Sequence, residues 1–165
     1  MTYLLERFAQ ASKKYLPTHL RTLFIAEAPP AYRVNRMFYF LGLTDGDTLF
    51  LEMMKVLYPE QVGFSDETFK RGASAKQIRA RKGELLSKFR EDGYFLIDAY
   101  AEPMPDNASL STKASLMRAT LPALRRRLSH LPARKETPII LIGALHTPSA
   151  TYPFVLMAGT SSTRP

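Results

Sequence analysis

The chain has 165 residues, enough for one ordinary hydrophobic core and short for two. Its 45% hydrophobic and 23% charged content excludes whole-chain disorder, and the absence of cysteine excludes disulfides, thiolate nucleophiles and iron–sulfur ligation. A formal net charge of +8 favours an anionic partner, nucleic acid before an acidic membrane surface.

From the N-terminus, Leu4, Leu5, Phe8, Ala11, Tyr15 and Leu16 recur at helical spacing and predict an amphipathic helix that stops at Pro17. Glu6 and Arg7 interrupt the apolar start that a secretory leader needs, and no apolar run reaches the roughly 18 residues of a membrane span. The expectation is a soluble cytoplasmic protein, monomeric by default.

Thr22 to Glu27 reads as a strand covered on both faces, because its apolar residues run without alternation until Pro29 and Pro30 force the chain out of any ladder. Glu27 therefore stands at a strand's end. The carboxyl ends of parallel strands are where ligands bind in open α/β sheets, so this acid is a candidate for chemistry. A carboxylate in such a place can equally cap a neighbouring helix or pair with an arginine.

A basic, aromatic loop follows, with Arg33 and Arg36 ahead of Phe38, Tyr39 and Phe40, and Asp45-Gly46 marks a turn. Asp47 or Thr48 can cap the next helix, whose apolar face is Leu49, Phe50, Met53, Met54 and Leu57 before Pro59. Ser74 and Gln77 have the spacing of a capping box. The helix they open turns Ile78, Leu85, Leu86 and Phe89 to one side, with Lys76, Arg79, Arg81 and Lys82 elsewhere, and stops at Gly93.

Tyr94 to Asp98 is a second apolar strand, ending like the first on an acid followed by prolines. Asp98 can serve a site or simply cap the next loop. Leu110 to Leu131 predicts a helix broken or kinked near Pro122, with Arg125, Arg126 and Arg127 on its exposed arc. Thr137 to Gly143 predicts a third buried strand. Strands alternating with helices indicate an α/β class, a three-layer α/β/α fold around a mostly parallel sheet of three to four strands. Residues 1–145 form the expected single domain. Residues 146–165 are poor in charge and give a tail, in which Tyr152 to Met157 is either a short edge strand or a loosely docked segment. The three histidines have no metal-ligand spacing, so no metal and no cofactor is assigned.

Taken together, Ala26-Glu27-Ala28-Pro29-Pro30, Tyr39-Phe40-Leu41-Gly42, Asp98 with Pro105 and Asn107, and Ile140-Leu141-Ile142-Gly143 resemble the uracil-DNA glycosylase superfamily, its thermophile-type branch above all. The eleven-residue step from Pro29 to Phe40 fits that branch without insertion. The resemblance spans roughly Leu23 to Gly143 and implies a uracil-DNA-glycosylase-like fold acting on DNA. It implies that Glu27 orients or deprotonates a water, that Phe40 stacks on an extruded base with Tyr39 or Phe38 as substitutes, and that Asp98 reads the base edge near Asn107. Arg33, Arg36 and part of Arg125, Arg126 and Arg127 would neutralise phosphates.

The chain departs from that pattern in places. Ala26 and Pro30 stand where the branch has glycines, and Asp98 replaces an asparagine, so that an ionised side chain there only accepts hydrogen bonds. Uracil specificity is therefore not implied. The cluster cysteines of the branch are absent, and the late His-Pro-Ser motif has only His146-Thr147-Pro148-Ser149 to answer it, one residue longer and immediately after the third strand. Two classes of function follow: a hydrolase acting on a base in DNA, or a catalytically silent relative that binds nucleic acid or a protein partner through its basic surface.

Overall fold

The computed structural model describes residues 2–29, 37–63, 74–105 and 108–143, with side chains from Glu6 onward. The elements run α1 (Thr2–Lys13), β1 (Thr22–Ala26), α2 (Thr48–Leu57), a 3-10 turn (Glu60–Val62), α3 (Ala75–Ala80), α4 (Lys82–Glu91), β2 (Tyr94–Asp98), α5 (Leu110–Ser129) and β3 (Ile139–Ile142). They fall into two compact units, Met1–Tyr15 with Tyr32–Phe89, and Leu16–Ala31 with Arg90–Pro165. The chain is α/β, and its sheet is parallel, as the apolar runs predict.

The first unit is helical, and aromatic rings fill its core. Phe38 meets Tyr39 edge-on at 4.9 Å between centroids and also packs on Phe50 and Phe89 at 5.7 and 5.6 Å. Tyr39 stacks on Tyr15 at 5.7 Å, and Phe40 packs on Phe8 at 5.5 Å. Such contacts add to the burial of large rings, which dominates the energetics of a small core. Pro59 ends α2 and opens the 3-10 turn.

The capping box at Ser74 forms as expected, its hydroxyl accepting from the Gln77 N–H while the Gln77 side chain accepts from the Ser74 N–H. The single helix expected after it is in fact two. The break falls at Arg81, whose guanidinium is drawn off to the Glu84 carboxylate and the Gln61 carbonyl. Gly83, a weak helix former, lies in the first turn of α4.

In the second unit the strand order is β2-β1-β3. Thr22 to Ala26 pair with Tyr94 to Asp98, and Leu23 to Ala26 pair with Ile139 to Ile142, all parallel. Leu23, Phe24, Ile25 and Ala26 are buried, as a central strand without alternation requires. Gly93 starts β2 with φ +78, and its carbonyl accepts from the Arg21 and Thr22 N–H groups at 2.7 and 3.2 Å. A Cβ there would lie 2.8 Å from both the Arg21 Cβ and the His19 carbonyl oxygen, so the strand can begin this close to its neighbour only with glycine.

Two expectations are corrected here. β3 is not buried: among the described residues it has one neighbouring strand, none of its four residues is buried, and Leu141 is 40% exposed. The α5 helix is not broken at Pro122 but runs through it as one element. Pro122 and Arg118 are both exposed, so the carbonyl that loses its partner one turn back can be met by solvent. Ser109 caps the helix by accepting from the Thr112 N–H at 3.1 Å.

Candidate functional site

The parallel register delivers two acids to neighbouring strand ends. β1 and β2 finish side by side with Ala26 opposite Asp98, and the pairing continues past both strands. The Ala99 N–H donates to the Ala26 carbonyl at 2.7 Å and the Tyr100 N–H to the Glu27 carbonyl at 2.9 Å. Glu27 and Asp98 thus stand at the carboxyl edge of the sheet, the edge at which open parallel α/β sheets generally bind ligands.

The environments of the two acids differ. Glu27 keeps 29% of its side chain in solvent and lies 3.9 Å from the Lys113 ammonium of α5. Asp98 is half-buried, and burial pushes its carboxyl up to about 7, against the pull of the Arg127 guanidinium. Among the described residues nothing hydrogen-bonds to the Asp98 carboxyl. A carboxyl that is desolvated, unpaired and placed at a strand end is the kind of group that sites use.

Arg127 reaches the same strand end by its backbone. Its two terminal nitrogens donate to the carbonyls of Asp98 at 2.8 Å and Ala99 at 2.6 Å. The arginine triplet therefore does not act as one surface: Arg125 and Arg126 are exposed, while Arg127 is half-buried and holds β2 to α5. From Leu110 to Lys135 the chain carries no acidic residue, and Arg118, Arg125, Arg126, Arg134 and Lys135 are all exposed.

Phe40 and Tyr39 belong to the other unit. Tyr39 is 2% exposed within the aromatic core, and Phe40, 9% exposed, packs on Phe8 with the Arg7 guanidinium 5.2 Å from its ring centre. Either ring must leave these partners before it can stack on a base. Arg33, Arg36, Asn107, His146 and the tail 146–165 lie outside the described residues.

The charged cluster of the first unit was not legible from the sequence. Asp47 is fully buried and accepts from Arg79 Nε at 2.7 Å and Lys82 Nζ at 3.2 Å. Lys82, expected off the apolar side, is 2% exposed and lies 4.3 Å from the Phe50 ring centre. Burial pushes its ammonium down to about 8, with Asp47 opposing. Asp47 occupies the N-cap position of α2 without capping it, because both carboxylate oxygens are spent on the cations. The i,i+3 spacing of Arg79 and Lys82, which aims both at one side, was the available signal.

A cavity of about 410 Å³ lies in the first unit, lined by Gln61, Val62, Gln77, Ile78, Arg81 and Leu85 among others. Neither Glu27, Asp98, Tyr39 and Phe40 nor the arginine triplet lines it. Among the described residues there is no group of three histidines or acids able to hold a metal, and no helix is long and apolar enough to cross a membrane. No family model, no curated protein and no solved structure matches the chain significantly.

Proposed function

We propose that the chain is a uracil-DNA-glycosylase-like protein that hydrolyses the N-glycosidic bond of a base flipped out of DNA, in the cytoplasmic compartment. The observation that carries this reading is the pairing of Ala26 with Asp98, which brings Glu27 and Asp98 to adjacent strand ends at the carboxyl edge of the sheet. Glu27, partly solvated, orients or deprotonates the water and favours the positive charge that develops on the sugar. Asp98 reads the edge of the base, and a stacking ring is the further part such a site needs, the role for which the resemblance names Phe40. The exposed arginines of α5, with Arg33 and Arg36, neutralise phosphates.

A second reading is a catalytically silent relative that binds nucleic acid through its basic surface. It is favoured by the burial of Phe40 and Tyr39 and by the acid-free stretch of α5. Oligonucleotides carrying uracil, hypoxanthine, xanthine or a mismatch distinguish the two when wild type is compared with Glu27→Ala. Abasic product that disappears with the carboxylate supports the hydrolase. Salt-dependent binding without product supports the binding module, and the absence of both refutes both readings.

A further inference from the structure

The Asp98 carboxyl differs from an ordinary surface acid in what surrounds it. It sits at the end of β2, half-buried, with no hydrogen-bond partner among the described residues. The cation nearest to it does not form the usual fork. Arg127 spends both terminal nitrogens on the Asp98 and Ala99 carbonyls, fixing the backbone and leaving the carboxyl free to meet a ligand. Among the described residues, Glu27, following β1, and Lys113 on α5 also stand at this edge and face each other, and Glu102 lies in the loop after β2. β2 is the outer strand on its side of the sheet, so no further strand brings a charge to Asp98 among the described residues.

Hydrogen-bonding chemistry then decides what such a group can recognise. An ionised carboxyl offers acceptors only, whereas a neutral one offers an O–H donor beside a carbonyl acceptor, the same pair that a carboxamide presents. We propose that Asp98 is a proton-switched edge reader: neutral, it takes a heterocycle edge with a donor next to an acceptor, and ionised, it takes only an edge with two adjacent donors. Arg127 is the positioning residue that holds it. The elevated midpoint of the carboxyl, about 7, puts both forms within the working range of a cell. The inference deepens the reading of Asp98 as the base-recognising group and rests on it. It adds that recognition changes with pH.

The test uses the whole chain and free nucleosides, so it needs no turnover. Binding of deoxyuridine and deoxyinosine, which present mixed edges, and of deoxyguanosine, which also presents two adjacent donors, is followed by NMR at about pH 6 and pH 8. Deoxyuridine and deoxyinosine are expected to bind roughly tenfold more weakly at the higher pH, following the loss of the neutral carboxyl, while deoxyguanosine does not weaken. Asp98→Asn, whose amide carries donor and acceptor at every pH, holds the low-pH affinity for deoxyuridine at both values. Arg127→Ala moves the pH midpoint of binding upward, which a purely structural arginine does not do. Binding that is the same at both pH values in wild type overturns the switch and leaves the base-reading role standing. Failure of every nucleoside to bind at either pH overturns both.

Discussion

Arg127 clamps the end of the second strand by donating to the carbonyls of both Asp98 and Ala99 rather than to the Asp98 carboxyl, which has no hydrogen-bond partner among the described residues. A guanidinium beside a carboxylate usually forms a bidentate ion pair. Here it binds the backbone instead, so the same side chain fixes the position of the acid and opposes the rise that burial gives its midpoint. Arg127→Ala is expected to lower stability by about 2 kcal/mol, the range of two hydrogen bonds to a charged donor on a half-buried site. It should also raise the Asp98 midpoint, because the opposing positive charge is gone. Denaturant unfolding and carboxyl-carbon NMR titration of the same variant read the two effects separately. An unchanged midpoint would show that Arg127 acts on structure alone.

The raised midpoint of Asp98 also fixes the direction of a stability change. Between about pH 4 and pH 7 the folded chain keeps a proton that the unfolded chain has released, so this group's contribution falls as pH rises through that window. Asp98→Asn removes the cost of burying the charge. It should stabilise the protein by about 1–2 kcal/mol at pH 8 and by little at about pH 4. Thermal or urea unfolding across that range checks the slope, and equal effects at both ends would mean that the carboxyl titrates normally.

Lys82 works in the opposite sense. Its ammonium titrates near 8 when folded, below the ordinary lysine value of 10.5, so the unfolded chain is the better proton binder between those limits and stability rises with pH there. Its partner matters more. Asp47→Asn leaves Arg79 and Lys82 without their buried counter-charge and should cost about 3–5 kcal/mol at neutral pH. Adding Lys82→Met to that variant should recover part of the loss. A double mutant no more stable than the single would argue against charge burial as the cause.

Gly93→Ala should destabilise by at least about 1–2 kcal/mol, since both the left-handed backbone and the 2.8 Å approach to Arg21 and His19 oppose a Cβ. Circular dichroism with urea titration measures it. A neutral result would require the β2 start to shift away from β1.

The sequence made the sheet readable because each strand is a short apolar run bounded by prolines or glycine, and β1 and β2 occupy nearly the residues expected. Glu27 and Asp98 were legible as strand-end acids for the same reason: the runs stop on them. β3 looks as apolar as β1, but its exposure depends on which elements cover it, which no local pattern encodes: β2 also has one neighbouring strand among the described residues and still buries Phe95 and Leu96. The continuity of α5 through Pro122 depends on exposure of the opposite carbonyl, again a tertiary property. Phe38, Tyr39 and Phe40 illustrate the reverse problem: a run of rings reads equally well as a base platform and as a core, and the packing on Phe8, Tyr15, Phe50 and Phe89 is visible only in three dimensions. Lys82 departs from its expected place because a lysine's charge points to solvent, yet the side chain is 2% exposed. A carboxylate thirty-five positions earlier in the chain makes its burial possible.

Arg125 and Arg126 should govern any electrostatic contact that α5 makes with nucleic acid. Replacing both with alanine should weaken DNA binding and flatten the dependence of affinity on salt by about two phosphate contacts. Arg127→Lys, which keeps the charge at the half-buried position, should leave that slope alone. Fluorescence anisotropy at several salt concentrations reads both variants, and an unaltered slope in the double alanine variant would place the contact surface elsewhere.

The central claim is that the strand-end carboxylate of Glu27 drives removal of a base, and single-turnover release from DNA measures this most directly. With protein in excess over a uracil- or hypoxanthine-containing oligonucleotide, wild type should generate abasic sites and Glu27→Gln should slow the step by at least about a hundredfold at unchanged DNA affinity. Abasic sites formed at the same rate by both proteins, or none formed by wild type under saturating conditions, would contradict it.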